Sequence, residues 1–564
     1  MASSKKPPSL STGERVKGFA AGLITRLSPR HRRIRGTKGE FTAEVEGELA
    51  EGSEYTIIPA ITDPNIKVLE IYPIEAPFSY ARILHDKSKN EYIYEAIEPQ
   101  MSAKDIEIFT MIKDTFQRTL GYELDKLGTD DKATYIRECI DSFITSRGIK
   151  IAPNQKEKTA YYVIRDFVGY GVINPLIKDE FIEDISCDGT NIPLFIFHRK
   201  YESIKTTIVF ETDEELDSFV VALGQRCGKQ ISVAMPILDG TTPEGHRVQA
   251  TYAREVSTRG SSFTIRRFKE KPFTPVDLIL NGTANAEMVA YIWLAVEHLK
   301  SMMVCGGTAC GKTSTLNAAT LFIPPTAKIV SMEDTREINL PHENWIAGAT
   351  RPGFGERGPD GKAPGEIDMF DLVRAALRQR PNYIIVGEVR GKETYTMFQA
   401  MATGHTTYST MHADSVKSMV NRLENPPISC PRILLCALNF VIIQSFVRVR
   451  DQQVRRIKQI VEIVGFEHET NELITNTVFE WDPATDKFIY KGHSFLFDEI
   501  QEMKNLTSED MMEEFNRRVE VINYMVARNM TDFREISRII ISYYREPEET
   551  LMKIREEKAR LGIL

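Results

Sequence analysis

Eight residues, Gly306-Gly307-Thr308-Ala309-Cys310-Gly311-Lys312-Thr313, carry the spacing G-x-x-x-x-G-K-T. Glycines at that spacing let the backbone wrap a phosphate, with several N–H groups aimed at it from the positive end of a following helix. In such a loop Lys312 reaches the β- and γ-phosphates of a nucleotide and the Thr313 hydroxyl takes magnesium, with Ser314 next in line. Downstream, AKIVSMEDTREINL brings Glu333 and Asp334 to the end of an apolar run. A carboxylate there can orient or deprotonate an attacking water, although Glu333 considered alone reads equally well as a solvated loop acid. NYIIVGEVRG ends in Glu388, in the place where many phosphate-loop enzymes keep a magnesium-side acid. The usual Asp position is taken by Gly387. Finally, MATGHTTYSTMHADS holds His405 and His412, two of only ten histidines in 564 residues. Metal ligands, a hydrolytic base and plain core imidazoles are all open to such a pair. With no third ligand nearby they make a poor zinc site.

These groups need elements that bring them to one place. The apolar run SMMVCGG before the phosphate loop predicts a strand, and STLNAATLF after it predicts a helix. Strand AKIVSM, helix DMFDLVRAALRQR, strand NYIIVGE and strand TTYSTMHA follow in order. Alternation of that kind implies a parallel sheet covered by helices on both faces. In open α/β sheets ligands sit at the carboxyl ends of the strands. Glu333, Glu388 and the C-terminal end of TTYSTMHA are therefore expected on one edge, which leaves His405 and His412 at opposite ends of that segment, near phosphate rather than metal.

Upstream, YTIIPA and IKVLEIYPI read as strands and the chain from Asp105 as helices, giving an α+β domain over 41–155. A second α+β domain, 156–270, opens with YYVIRDFVGYGVINPLIKDEFIEDISCDG. It continues through a helix from Asp213 to an Arg-rich hairpin, GHRVQATYAREVSTRGSSFTIRRF. Pro272 and Pro275 mark a linker, 276–465 forms the nucleotide-binding core, and 466–564 supplies two strands and then helices capped at Thr507-Ser508-Glu509-Asp510. ILLCALNFVII, at 433–443, is too short to cross a bilayer, which needs about twenty residues, and is expected to be a buried helix.

Composition narrows the classes. A net charge of −8 argues against a general nucleic-acid partner. Seven cysteines without C-x-x-C spacing argue against zinc knuckles and for reduced thiols in the cytoplasm. No secretory signal follows the N-terminal basic stretch. Residues 1–40 carry ten Lys/Arg against two Glu and read as a flexible basic tail. Within it VKGFAAGLITRL could form a short amphipathic helix for an anionic membrane surface or a partner protein.

Taken together, CGGTACGKTS, IVSMEDTREINL, LRQRPNYIIVGEVRG and ATGHTTYSTMHA resemble the Walker A, Asp box, Walker B and His box of the type II and type IV secretion motor ATPases. The wording is most similar to the archaeal branch, and the resemblance runs from about Tyr161 to Val464. It implies a RecA-like α/β P-loop ATPase domain, preceded by α+β N-terminal domains and followed by C-terminal helices. It also implies a homohexamer that hydrolyses ATP with Mg2+ at the cytoplasmic face of a membrane, against a polytopic platform protein. By motif, Glu333 is then the water-activating candidate, Glu388 and Thr313 the magnesium side, His405 the γ-phosphate contact and His412 a link to the neighbouring domain. Arg247, Arg259 and Arg266 of the hairpin are the candidates to reach the phosphates, a role that suits a permanently charged fork. The four-cysteine zinc insertion common in bacterial secretion members has no counterpart here. A hexameric nucleic-acid translocase is the rival from another class, and needs a basic, aromatic-lined channel. A nucleotide-regulated scaffold without turnover is opposed by the intact Lys312, Thr313, Glu333 and Glu388.

Overall fold

The computed structural model describes residues 47–49, 53–119, 129–268, 271–351, 353, 358, 362–450, 452–467, 469–470 and 472–562. The basic tail and its VKGFAAGLITRL segment lie outside them. The chain divides into two compact units, one ending at Arg267 and one beginning at Phe268, close to the expected proline linker.

In the first unit, β1 (Gly47–Leu49) and β2 (Ile57–Pro59) form a small antiparallel pair. The main sheet uses β3 (Ile66–Glu75), β4 (Ser79–Asp86), β5 (Glu91–Ile97), β6 (Ile182–Cys187), β7 (Pro193–His198), β8 (Glu202–Val209), β9 (Ile237–Thr241), β10 (Arg247–Thr251) and β11 (Ser262–Arg266). Its order is β3-β4-β5-β8-β7-β6-β11-β10-β9. One expectation changes here. Strand β5 pairs with β8, so one sheet runs across the boundary placed at 155/156. That boundary also falls inside the helix Pro153–Phe167. The helix from Asp213 is present and ends at Arg226, with the Thr212 hydroxyl accepting from Glu215 N as its cap.

The second unit contains β12 (Met302–Gly306), β13 (Ile329–Glu333), β14 (Trp345–Ala349), β15 (Tyr383–Val386), β16 (Thr406–Met411), β17 (Phe440–Val449), β18 (Gln452–Glu467), β19 (Glu472–Asp482) and β20 (Lys487–Tyr490). They are ordered β14-β13-β15-β16-β12-β17-β18-β19-β20. Strands β12 to β17 are mutually parallel, and β17 to β20 continue as an antiparallel ladder. β12, β13, β15 and β16 are buried at every residue, as a sheet covered on both faces requires. Strand β18 crosses the boundary placed at 465/466, so the expected core and C-terminal segment share one sheet.

The apolar run at 433–443 is not the expected helix. It folds as a short 3-10 turn, Arg432–Ala437, and then enters β17. Its alternate residues feed two cores: Phe440 and Ile442 join one cluster, Val441 and Ile443 the other. A run buried on both sides of a sheet has no periodicity that separates strand from helix. The β17–β18 ladder carries a bulge. Ile443 pairs with Gln459 but Gln444 pairs with Ile457, which leaves Lys458 over.

The C-terminal helices are Phe495–Lys504, Ser508–Ala527, Phe533–Arg545 and Pro547–Leu561. The Thr507–Asp510 capping box forms as expected, but it opens the second of these helices. They are fastened to the core by polar bonds in an otherwise apolar seam. Glu462 is buried and accepts from Tyr291 Oη at 2.9 Å, Ser494 Oγ at 2.6 Å and the Phe495 amide at 2.9 Å. Arg518 reaches Glu297 at 2.6 Å beside Trp293, which stacks on Phe322 at 4.9 Å.

Candidate functional site

The phosphate loop follows β12 and opens the helix Lys312–Thr320. Gly311 has φ +95° and Ala309 φ +58°. A Cβ on Gly306 would stand 2.2 Å from Gln444 O, whereas nothing lies within 4 Å of one built on Gly307. The loop is thus tight against β17 on its inner side and open on its outer side, the shape that lets backbone N–H groups close on an anion. Lys312 Nζ donates to Gly307 O at 2.8 Å, and the Cys310 thiol points to the same carbonyl at 3.1 Å. Thr308, Ala309 and Gly307 are exposed, while Thr313 and Ser314 are half-buried at the first turn of the helix.

At the same edge, Lys312 Nζ lies 3.3 Å from His412 Nδ1, and His412 Nε2 lies 3.2 Å from Glu388 Oε1. An ammonium can only donate, so Nδ1 accepts and the ring proton belongs on Nε2, facing the carboxylate. The Nε2–Oε1 approach has the distance of an ion pair without hydrogen-bond alignment. Burial, and then the Lys312 charge, lower the His412 pKa, so the ring is neutral at neutral pH. Burial works against the charge on Glu388. The hydrogen bond and charge of Arg390, followed by His412 and Lys312, outweigh it and hold the carboxyl below its usual range.

Glu333 ends β13, two strands from His412's β16, with β15 between. It is 2% exposed. Oε1 accepts from the amides of Glu337 at 2.9 Å and Ile338 at 3.0 Å. Oε2 has no hydrogen-bond partner among the described residues. Burial pushes the carboxyl up to about 7, and the two amide bonds only partly offset that. Gly387 explains the missing Asp. A Cβ there would sit 2.9 Å from Glu333 Cγ, so any side chain at 387 displaces the acid on the neighbouring strand. Thr410 Oγ1 donates to Gly387 O at 2.7 Å and fixes the turn.

The γ-phosphate place expected of His405 is not where His405 lies. His405 precedes β16 and lies at the amino edge of a parallel sheet, with Nδ1 3.3 Å from Thr403 Oγ1. The strand Thr406–Met411 separates it from His412, about 23 Å for seven steps at ~3.3 Å per residue. His412, not His405, is beside Lys312. Strand direction decides this, and the box spans one whole strand.

Of the three arginines in the first unit, two come together. Arg247 and Arg266 are directly opposed across β10 and β11, an unfavourable like-charge pair by itself. Each has its own acid, Asp239 at 3.6 Å and Asp184 at 3.2 Å. Arg259 lies at the other end of the hairpin, exposed, in the connection between the strands. Three residues that sequence reasoning missed support the phosphate loop from β17 and β18. Gln444 accepts from Thr315 Oγ1 at 2.7 Å, Arg455 Nε donates to Ala309 O at 3.0 Å, and Phe446 lies under Arg455. No motif marks them. They are reached only through strand pairing.

All seven cysteines are free, and among the described residues no group of three or more His, Cys, Asp or Glu could hold a metal. Among the same residues no helix is long and apolar enough to cross a membrane. The cradle nevertheless fits a nucleotide with its magnesium: an open glycine loop, the Thr313 hydroxyl, the Glu388 carboxylate and an unpartnered Glu333 oxygen share one edge.

Comparison with known proteins follows the same lines. The uncharacterized protein MJ0900 of Methanocaldococcus jannaschii is 35% identical over 511 residues, covering 86% of this chain and 90% of that one. The type IV secretion system protein PtlH of Bordetella pertussis is 29% identical over 237 residues, 38% of this chain and 67% of that one. Among solved structures, the Legionella pneumophila ATPase DotB is 17% identical with a TM-score of 0.37, covering 63% of this chain and 91% of that one. The pilus retraction motor PilT with bound ADP is 17% identical with a TM-score of 0.34, covering 59% and 93%. Residues 37–100 match the PilB3-like N-terminal family. Residues 168–562 match the type II/IV secretion system protein family, and that span takes in well over half the chain and every edge group of the second sheet. The chain belongs to that family.

Proposed function

We propose that this protein is a ring-forming motor ATPase, a homohexamer that hydrolyses ATP to drive assembly of a pilus-like or archaellum-like filament, or type II-like secretion. It works peripherally at the cytoplasmic face of a membrane, against a polytopic platform protein and without nucleic acid. One observation supports this most directly: His412, Glu388 and Glu333, far apart in sequence, lie at the ends of adjacent parallel strands, beside the open phosphate loop that carries Lys312. Thr313 and Glu388 would hold magnesium, which would supply charge neutralisation on the phosphates. Lys312 leaves the Gly307 carbonyl for the β- and γ-phosphates. His412 keeps that ammonium and Glu388 in fixed relation. Glu333, with one oxygen pinned by two amides and the other open, takes the proton of the attacking water. Arg247 and Arg266, unlike Arg259, form a paired cationic face suited to a phosphate.

A second reading, with Glu388 as the base, is favoured by its line through His412 to Lys312. Trapping a slow-hydrolysing complex separates the two: the acid whose Gln variant still binds ATP but stops phosphate release is the base. The motor reading itself is tested by size and stimulation. ATP-dependent assembly into a hexamer, with turnover raised by membranes bearing the platform protein, is the expected result. A monomer whose turnover is raised by DNA alone refutes it.

A further inference from the structure

The β17–β18 ladder runs past the phosphate loop, and its outer end carries groups the hydrolytic site does not use. On one face of β17 the side chains of Ile442, Gln444 and Phe446 follow each other. Ile442 is in the core, Gln444 is buried against Thr315 of the helix that opens at Lys312, and Phe446 is 42% exposed. Phe446 therefore stands one strand step, about 7 Å, beyond the point where β17 meets the first turns of that helix. Directly across the ladder is Arg455. Its guanidinium lies 5.4 Å from the Phe446 ring centroid, and its Nε donates to Ala309 O in the phosphate loop. Among the described residues that is the one hydrogen bond of the guanidinium. A Cβ on Gly311 would meet Arg455 Cδ at 3.3 Å, so the arginine is held against the loop from two sides.

The exposed Phe446 ring stands at the rim of the phosphate loop. Here it is backed by a planar cation that is itself fixed to the loop. We propose that the Phe446 ring and Arg455 guanidinium form the seat for the base of the nucleotide whose phosphates occupy the loop. This rests on the reading of residues 306–314 as the phosphate site. The base stacks on the Phe446–Arg455 surface, with the two free Nη groups of Arg455 near the sugar and first phosphate. Stacking of this kind uses the π-face that every base has, so the seat holds ATP and GTP with similar strength and any discrimination must come from elsewhere.

The test compares a ligand with a base and one without. Titration calorimetry of the full chain with Mg-ATP, Mg-GTP and Mg-tripolyphosphate is run on wild type, Phe446→Ala, Phe446→Tyr and Lys312→Ala. Phe446→Ala is expected to weaken both nucleotides about 5- to 100-fold, from about 1–3 kcal/mol per stacked base at tenfold per 1.4 kcal/mol. Tripolyphosphate should change less than twofold, which also shows the loop intact, and Phe446→Tyr should restore nucleotide binding. Unchanged ATP affinity in Phe446→Ala overturns the proposal. So does an equal loss for ATP and tripolyphosphate, which would make the ring a support of the loop. If Lys312→Ala binds all three ligands as wild type does, the phosphate-site reading falls and takes the seat with it.

Discussion

Replacing Glu333 by Gln separates two consequences of one buried carboxyl. Its pKa stands at about 7 against an ordinary 4.5. That difference of 2.5, at about 1.36 kcal/mol for each pH unit, comes to about 3 kcal/mol. The folded protein holds the proton more tightly than the unfolded chain. The carboxyl's contribution to stability is therefore complete below pH 4.5 and lost as pH rises through about 7. Gln keeps the acceptor for the Glu337 and Ile338 amides but places an NH2 where Oε2 has no partner, at a cost of about 1–3 kcal/mol. The variant is thus less stable than wild type at pH 5.5 and gains on it by about 2 kcal/mol by pH 8. Thermal scans of both proteins across that range read this as a relative shift of a few degrees. Catalysis goes the other way. Only the ionised acid can accept a proton, and ionisation rises from about 3% at pH 5.5 to about nine-tenths at pH 8, so wild-type kcat climbs about 30-fold. The variant loses about 10²–10⁴-fold and its residual rate is flat. A wild-type kcat that is level between pH 5.5 and 8, or a variant whose stability follows wild type at every pH, refutes the assignment.

Lys312→Ala should lower phosphate release by at least about 10²–10³-fold, and near-normal release would dismiss the phosphate loop. His412→Ala, which removes a contact to a charged partner worth about 1.5–3 kcal/mol, should cut kcat about 10- to 100-fold, whereas His405→Ala should leave nucleotide affinity and the γ-phosphate step alone; matched losses in both variants would contradict the placement of His405 at the far edge. Gly387→Ala forces a methyl to within 2.9 Å of Glu333 Cγ, so hydrolysis should fall while ATP binding by equilibrium dialysis persists. Dilution through the assembly range should lower turnover per subunit, and constant specific activity with a monomer by light scattering would contradict a ring.

Much of the second unit was legible in the sequence because its chemistry is local. A glycine loop between an apolar strand and a helix, and acids at the ends of apolar runs, are set by neighbours in the chain, and each is where the pattern implies. What was not legible depends on strand pairing. The order of elements already put His405 and His412 at opposite ends of β16, but the motif assigned the γ-phosphate to His405, and the pairing of β16 beside β12 is what puts His412 next to Lys312. Gly387 looked like a departure until β13 was placed beside β15, where its missing side chain makes room for Glu333. The run at 433–443 is apolar on both faces because two cores meet there, and that erased the signal between strand and helix. The boundary at 155/156 failed because β5 and β8, more than a hundred residues apart, share a ladder.

The odd residue in the β17–β18 ladder acts as a phase change. Inward of Lys458, Ile460 and Glu462 face the same side as Ile442 and Phe440. Outward of it the parity flips, so Ile457 and Arg455 take that side in place of Lys458 and Arg456. In an unbroken ladder Lys458 would be driven into the core. Arg456 would then meet Phe446 and forfeit its bonds to Asp486 and Asn281. The bulge lets one strand answer to two frames: an inner half timed by the hydrophobic core and an outer half timed by the loop at 306–314. Deleting Lys458 keeps every pairing on either side and only removes the kink. Deleting Gln459 or Ile457 instead closes the ladder with Lys458 in the vacated place, where it loses the Gln459 bond to Glu480 in the first case and enters the buried place of Ile457 in the second. Tolerance to single-residue deletion in β18 should therefore peak at one position, and that position is the one with no partner.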